Sequence, residues 1–384
     1  MVERSSYLRR IRAGLKRSPI VALLGPRQCG KTTLAREFLP AESANYFDLE
    51  DPAVAAVLEQ PMTALQPLRG LVVIDEAQRR PGLFPVLRVL ADRAGEPATF
   101  LILGSASPDL SRQAAESLAG RVEIIELRGF DGGELPASDL TKLWLRGGFP
   151  RAFLAKSDAD SLQWRRDFVR TFLERDLAGL GFGIAPTALG RFWTMISHYH
   201  GQIWNGSEVA ASLGIAPNTA RNHLEALEQT YMVRRLQPWH ANLGKRLVKT
   251  PKIYFRDSGL FHTLQGIGTI GELHTHPKLG ASWEGFALEE TLQAVKPDQA
   301  YFYAVHNSAE LDLFMLVGGH RIGVEFKRED APRLTHSMQV AMQDLKLDHL
   351  SIIYPGTRRY ALHEKINALP LRDVTDSARL TGKI

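Results

Sequence analysis

Apolar residues in the first part of the chain come in short, nearly unbroken runs, and the segments between them carry apolar positions at helical spacing. Ile20 to Leu24, Ala44 to Phe47, Leu71 to Ile74, Thr99 to Leu103 and Val122 to Glu126 predict strands. Runs without polar alternation belong to strands buried on both faces, so a parallel sheet with helices on either side is expected. The alternation stops at Gly147-Gly148-Phe149-Pro150. Residues 155–200 then read as helices, with Phe168, Phe172 and Leu173 on one face. Ser207 to Leu213, a turn at Gly214 and a second helix through Ala220, Leu224 and Leu227 form a helix-turn-helix pattern, followed by a strand from Met232 to Leu236. A connector with Gly266, Gly268 and Gly271 leads into a mixed α/β tail from about Ser282. The fold class expected is α/β, in three segments, 1–150, 151–262 and 263–384.

Composition changes this picture little. With 384 residues, 44% hydrophobic and 23% charged, the chain has the balance of an ordinary globular protein. No apolar run approaches the roughly 20 residues that span a bilayer. Arg4, Arg9, Arg10, Arg12, Lys16 and Arg17 open the chain without an apolar core, so no secretory signal is expected and the cytoplasm is the predicted location. One cysteine, Cys29, excludes an internal disulfide. Charge matters by its placement. The net value is only +5, yet seven Lys/Arg and no acid lie between Arg234 and Arg256, either a surface that meets phosphates or a solvated basic face.

Gly25-Pro26-Arg27-Gln28-Cys29-Gly30-Lys31-Thr32, continued by Thr33, fits the phosphate-loop pattern G-x-x-x-x-G-K-[ST] and lies between an apolar strand and a helix. Glycines let backbone amides close around phosphates, Lys31 neutralises phosphate oxygens, and Thr32 offers its hydroxyl to Mg²⁺. Leu71 to Ile74 ends in Asp75, the expected second partner of that metal, and Glu76, the expected group to polarise attacking water. ATP and Mg²⁺ are therefore the predicted ligands. Thr99 to Leu103 ends in Gly104-Ser105, which places Ser105 beside the terminal phosphate or at the cap of the next helix. Arg121 is the candidate finger supplied to a neighbouring subunit, with Arg128, Arg151 and Arg175 as rivals and a plain surface arginine as the other reading. Cys29 reads as a filler of the loop.

In the helix-turn-helix, Asn218, Thr219, Arg221 and Asn222 stand at the start of the second helix, where such motifs present side chains to the major groove. Lys245, Arg246 and Lys249 would belong to a basic wing. The predicted partner is DNA, double-stranded or branched. In the tail, Glu310 to Val317, Gly318-Gly319 and His320 to Lys327 read as a hairpin whose register sets Asp312 opposite Glu325, with Lys327 on the same face. Facing carboxylates repel, so a metal ion held by Asp312, Glu325 and Glu284 is expected. The alternative is a salt-bridged cluster in which Lys327 pairs with Glu310.

The whole resembles the bacterial and archaeal ATPases that join an AAA-type P-loop ATPase domain, through helices and a winged helix, to a carboxy-terminal domain of restriction-endonuclease-like fold. The resemblance is carried by Gly25 to Thr32, Val73 to Glu76, Gly104-Ser105, Gly120-Arg121, Gly147 to Pro150 and Glu174-Arg175-Asp176. In the second half it rests on Lys252 to Leu260, Trp283 to Phe286 and Glu310 to Asp312. It implies Mg-ATP hydrolysis and a homo-oligomer, a hexameric ring being one option. Asp312, Glu325 and Lys327 map onto the metal-binding set of that nuclease superfamily. The expected function is ATP-driven remodelling of, or translocation on, DNA; the alternatives are an ATP-gated nuclease and a nucleotide-switched signalling or defence protein.

Overall fold

The computed structural model describes residues 2–95, 97–105, 117–239, 248–305 and 309–374. They form two compact units. The first comprises residues 1–130 with 175–183 and 229–231; the second comprises 131–174, 184–228 and 232–384.

In the first unit the order is α1 (Ser5–Arg17), β1 (Ile20–Gly25), α2 (Lys31–Ala35), β2 (Tyr46–Asp48), α3 (Pro52–Val57), α4 (Pro61–Leu65), β3 (Leu71–Asp75), α5 (Leu83–Ala91), β4 (Thr99–Ser105) and β5 (Val122–Glu126). All the strand pairs are parallel, in the order β2-β3-β4-β1-β5. The runs of β1, β3 and β4 are continuous because both faces are covered, whereas β5, at the edge, leaves Ile124 and Glu126 exposed. Val21 and Leu23 of β1 join Tyr7 and Ile11 of α1 in one core, while Ile20, Ala22 and Leu24 join Phe84 and Leu87 of α5 in the other.

The second unit begins with α6 (Leu140–Arg146), α7 (Pro150–Phe153) and α8 (Asp158–Thr171). Phe168 packs against Phe149 (4.7 Å between ring centroids), which makes the expected helical face a core. α9 (Pro186–Ser197), β6 (Gln202–Ile203), α10 (Gly206–Leu213) and α11 (Pro217–Gln229) follow. Gly214, at φ 65°, ends α10 in the left-handed conformation that lets the chain turn sharply into α11. Ala220, Leu224 and Leu227 are buried as their spacing requires, together with His223. β7 (Val233–Leu236) and β8 (Lys252–Phe255) complete a small antiparallel sheet in the order β6-β8-β7.

A tight joint follows β8. The Asp257 carboxylate caps α12 (Ser258–Leu264) by accepting from the Leu260 amide (2.8 Å), and it also accepts from the Gly148 amide (2.8 Å). A Cβ on Gly259 would stand 2.1 Å from the Arg146 carbonyl oxygen. Arg165, fully buried, donates to the Gly259 carbonyl (2.6 Å), and burial lowers its pKa to about 10. Two of the motifs that carry the family resemblance, Gly147-Gly148 and Asp257-Ser258-Gly259, are thus halves of one packing contact.

After α13 (Ile270–Thr275) and α14 (Leu279–Val295), strands β9 (Gln299–Ala304), β10 (Glu310–Val317) and β11 (His320–Phe326), helix α15 (His336–Asp344), and strands β12 (His349–Tyr354), β13 (Tyr360–His363) and β14 (Ile366–Pro370) build a mixed sheet. Its order is β13-β14-β12-β11-β10-β9. The predicted hairpin has the predicted register, from Val317 opposite His320 to Leu313 opposite Val324, with both turn glycines at positive φ.

Candidate functional site

β1 ends at Gly25 between its neighbours β4 and β5, and the loop from Pro26 to Gly30 leads into α2. Only glycine fits the first position, since a Cβ on Gly25 would lie 2.0 Å from the Leu127 carbonyl oxygen. Gly30 adopts φ 99° before Lys31 starts the helix, and Gln28 adopts φ 62°. Lys31 is buried and donates from Nζ to the carbonyls of Gly25 (3.1 Å) and Pro26 (2.8 Å), so its ammonium lies in the curve of the loop. The Cys29 side chain is buried against the Leu127 carbonyl, as a filler would be.

Parallel pairing brings the other groups to the same edge. Gly25 lies beside Ser105 and Ile74 beside Ile102, so Ser105, Asp75 and Glu76 sit at the carboxyl ends of adjacent strands. Asp75 accepts from the Tyr46 hydroxyl (3.1 Å). Burial raises its carboxyl above the usual range, and the Thr32 and Tyr46 hydroxyls oppose that shift. Glu76 sits at φ 54°, a left-handed conformation uncommon outside glycine and concentrated at functional sites. Burial raises its carboxyl too, against the pull of Lys31. Gln78 donates to Glu76. Among the described residues the buried Ser105 Oγ and Gln78 Oε1 have no hydrogen-bond partner. Leaving a buried polar atom unsatisfied costs about 1–3 kcal/mol. A loop whose first position tolerates no Cβ, a buried ammonium, a paired Thr32 and Asp75 and a waiting hydroxyl are a donor set that fits a nucleoside triphosphate with Mg²⁺.

Sequence reasoning missed Asp176, Gln78 and Tyr46 here. Asp176, buried, forms an ion pair with Arg27 of the loop, which also meets Glu50 at 3.4 Å. Its motif was visible, but nothing in the spacing linked residue 176 to residue 27. Arg121 lies elsewhere. Its carbonyl accepts from the Ile20 amide, which sets it at the amino end of β1, five residue steps of about 3.3 Å from Gly25. Its guanidinium is bidentate on Asp92 (2.5 and 2.7 Å).

In the helix-turn-helix, Asn218, Arg221 and Asn222 are exposed and Thr219 is half-buried. Lys249 is exposed, while Lys245 and Arg246 lie outside the described residues. Part of the basic stretch is paired with acids. Arg234 pairs with Glu289, which Arg256 approaches to 3.8 Å, and Arg235 pairs with Glu228. Lys252 is buried. The acids come from other elements, which the absence of acids in the local sequence could not reveal.

In the tail, Glu284 of α14, Asp312 and Glu325 converge. Asp312 accepts from the Phe326 amide (3.0 Å) and Glu325 from the Asp312 amide (3.4 Å), so the two carboxylates face each other across the hairpin. Lys327 donates to Glu325 (2.7 Å), not to Glu310. The missed residue is Lys252. Its Nζ pairs with Glu310 and lies 3.6 Å from Glu284 and 3.7 Å from Asp312, while the Tyr254 hydroxyl donates to Glu284 (2.6 Å). Burial, and then the charge of Asp312, raise the carboxyls of Glu284 and Glu325. Burial alone would lower the Lys252 pKa, but its surroundings, the nearby carboxylates included, hold it well above the usual range. Among the described residues no three of His, Cys, Asp or Glu are arranged to hold a metal ion. The three carboxylates expected to hold a metal thus come together, and the Lys252 ammonium stands among them.

Residues 17–135 match the AAA domain family, which agrees with the parallel sheet and its phosphate loop. Residues 137–270 and 279–374 match two domains of unknown function, DUF8612 and DUF4143. Over 384 residues the chain is 49% identical to the uncharacterised proteins Rv2008c of Mycobacterium tuberculosis and Mb2031c of Mycobacterium bovis, covering all of this chain and 86% of each relative. The chain belongs to the family of these mycobacterial proteins. Among solved structures it is similar to the Walker-type ATPase PABY2304 of Pyrococcus abyssi at 14% identity, over 69% of this chain and 96% of that one, with a TM-score of 0.48. No helix among the described residues is long and apolar enough to cross a membrane.

Proposed function

We propose that the chain hydrolyses ATP and uses it to remodel, or move along, double-stranded or branched DNA. The reading rests on one observation above the rest: Lys31, Thr32, Asp75, Glu76 and the Ser105 hydroxyl, unpartnered among the described residues, share one edge of a parallel sheet. Gly25 to Thr33 would hold the phosphates, and Thr32 and Asp75 would hold Mg²⁺. When bound, that ion neutralises charge on the phosphate oxygens. Lys31 contributes a second positive charge, and Glu76, held by Gln78, accepts the proton of attacking water. Ser105 donates its hydrogen bond where charge develops. The test is ATP turnover with and without single-stranded, duplex and four-way-junction DNA. Ser105→Ala should lower kcat about tenfold to a hundredfold with little change in nucleotide affinity; unchanged kcat would remove Ser105 from the site.

The distance of Arg121 from its own phosphate loop supports a role in trans within a homo-oligomer, for which Asp92 would have to release it. Exposed Asn218, Arg221 and Asn222 at the head of α11 support DNA contact through a winged helix. Replacing Arg221 and Lys249 with alanine should weaken duplex binding and make it less salt-dependent, by about one unit of slope per lost phosphate contact. Affinity and salt slope equal to wild type would exclude this surface.

A further inference from the structure

Lys252 is at once the first residue of β8 and the innermost cation of the tail cluster. The strand is buried throughout, with Lys252 itself 3% exposed, so its stem is fixed by packing in the sheet β6-β8-β7. From there Nζ reaches carboxylates on two other elements, Glu284 on α14 and both Glu310 and Asp312 on β10. Tyr254, two residues on and therefore on the same side of the strand, donates to Glu284. β8 thus brings an ammonium and a phenol hydroxyl to acids that the hairpin and α14 assemble. Glu325, the remaining acid, is held by Lys327.

We infer that Lys252 is the resident cation of this cluster, occupying the place a divalent ion would take between Glu284 and Asp312, so that the tail binds no divalent metal while β8 is in place. An ammonium and a hard dication compete for the same carboxylate oxygens and repel each other at this range. A metal-dependent phosphodiesterase reaction at Asp312 and Glu325 is excluded for as long as the lysine stays. The inference is independent of ATP hydrolysis, because it concerns only the second unit.

The experiment counts Mn²⁺ bound to the full chain without nucleotide, by the loss of the free-ion electron paramagnetic resonance signal. The proteins compared are wild type, Asp312→Asn, Lys252→Met and the double variant. Wild type and Asp312→Asn should bind alike, since any Mn²⁺ near Asp75 is common to both. Lys252→Met should gain one tightly held Mn²⁺ per chain and lose it again in Lys252→Met/Asp312→Asn. Melting should follow, with Mn²⁺ stabilising Lys252→Met only. A Mn²⁺ held by wild type and lost in Asp312→Asn would overturn the inference, as would a folded Lys252→Met that gains none. Should Lys252→Met fold only when Mn²⁺ is supplied, the ion has replaced the lysine and the inference stands. Lys252→Arg provides a second test, because it keeps the charge: it should bind no more Mn²⁺ than wild type, and a gained ion there would overturn the inference.

Discussion

Lys31→Ala should lose ATP binding, and Glu76→Gln should keep binding while turnover stops. Lys31 places a buried ammonium on the loop's inner carbonyls, the position from which it would pair with phosphate oxygens. Charge-assisted hydrogen bonds of this type contribute about 1.5–3 kcal/mol each, so removing the ammonium should weaken affinity on the order of a hundredfold or more. Glu76→Gln preserves shape and the contact with Gln78 but removes the base, which costs about 10²–10⁴ in kcat. Equilibrium binding of a fluorescent nucleotide separates the two effects from steady-state hydrolysis. Wild-type turnover in either variant would refute the site. Because burial raises the Glu76 carboxyl, its base form is present above that raised pKa and disappears as pH falls through it. Hydrolysis should therefore decline on acidification at a higher pH than an ordinary glutamate would give.

The largest effect on stability is expected from Gly259→Ala. The added methyl would meet the Arg146 carbonyl oxygen at 2.1 Å, its carbon at 2.4 Å and the Gly147 amide nitrogen at 2.7 Å, all of them backbone atoms that cannot swing away. Overpacking in cores costs about 1–3 kcal/mol, and this case belongs at or beyond the upper end because Gly259 also lends its carbonyl to Arg165. Asp257→Ala removes a helix cap worth about 1 kcal/mol and the acceptor of the Gly148 amide, so it should fall below Gly259→Ala in effect. Urea unfolding followed by tryptophan fluorescence would report both. A Gly259→Ala midpoint equal to wild type would show that the joint opens without cost.

The inner parallel strands were legible because burial on both faces leaves a mark that needs no partner; each of the five predicted runs overlaps a strand of the first sheet, and the edge strand β5, with Ile124 and Glu126 exposed, carries that mark least. The phosphate loop was legible for a similar reason: its chemistry is local, and Gly25, Gly30 and Lys31 stand within seven residues. The hairpin register followed from its glycine turn alone. Groups joined across the chain were hidden. Asp176 meets Arg27, and Lys252 meets Glu284, Glu310 and Asp312, through packing that no spacing encodes. The acids that pair with Arg234 and Arg235, Glu289 and Glu228, were hidden for the same reason, since they lie outside the basic stretch.

β8 also decides how the protein can be cut and recombined. A fragment beginning at residue 263 would carry the mixed sheet with Glu284, Glu310, Asp312 and Glu325, yet leave Lys252 and Tyr254 behind. Stripped of that counter-charge, its acids would draw protons or metal that the intact chain refuses, and assays on such a piece would report a property of the excision. Grafts between relatives should therefore exchange the strand Lys252–Phe255 together with the tail, as one inheritable block.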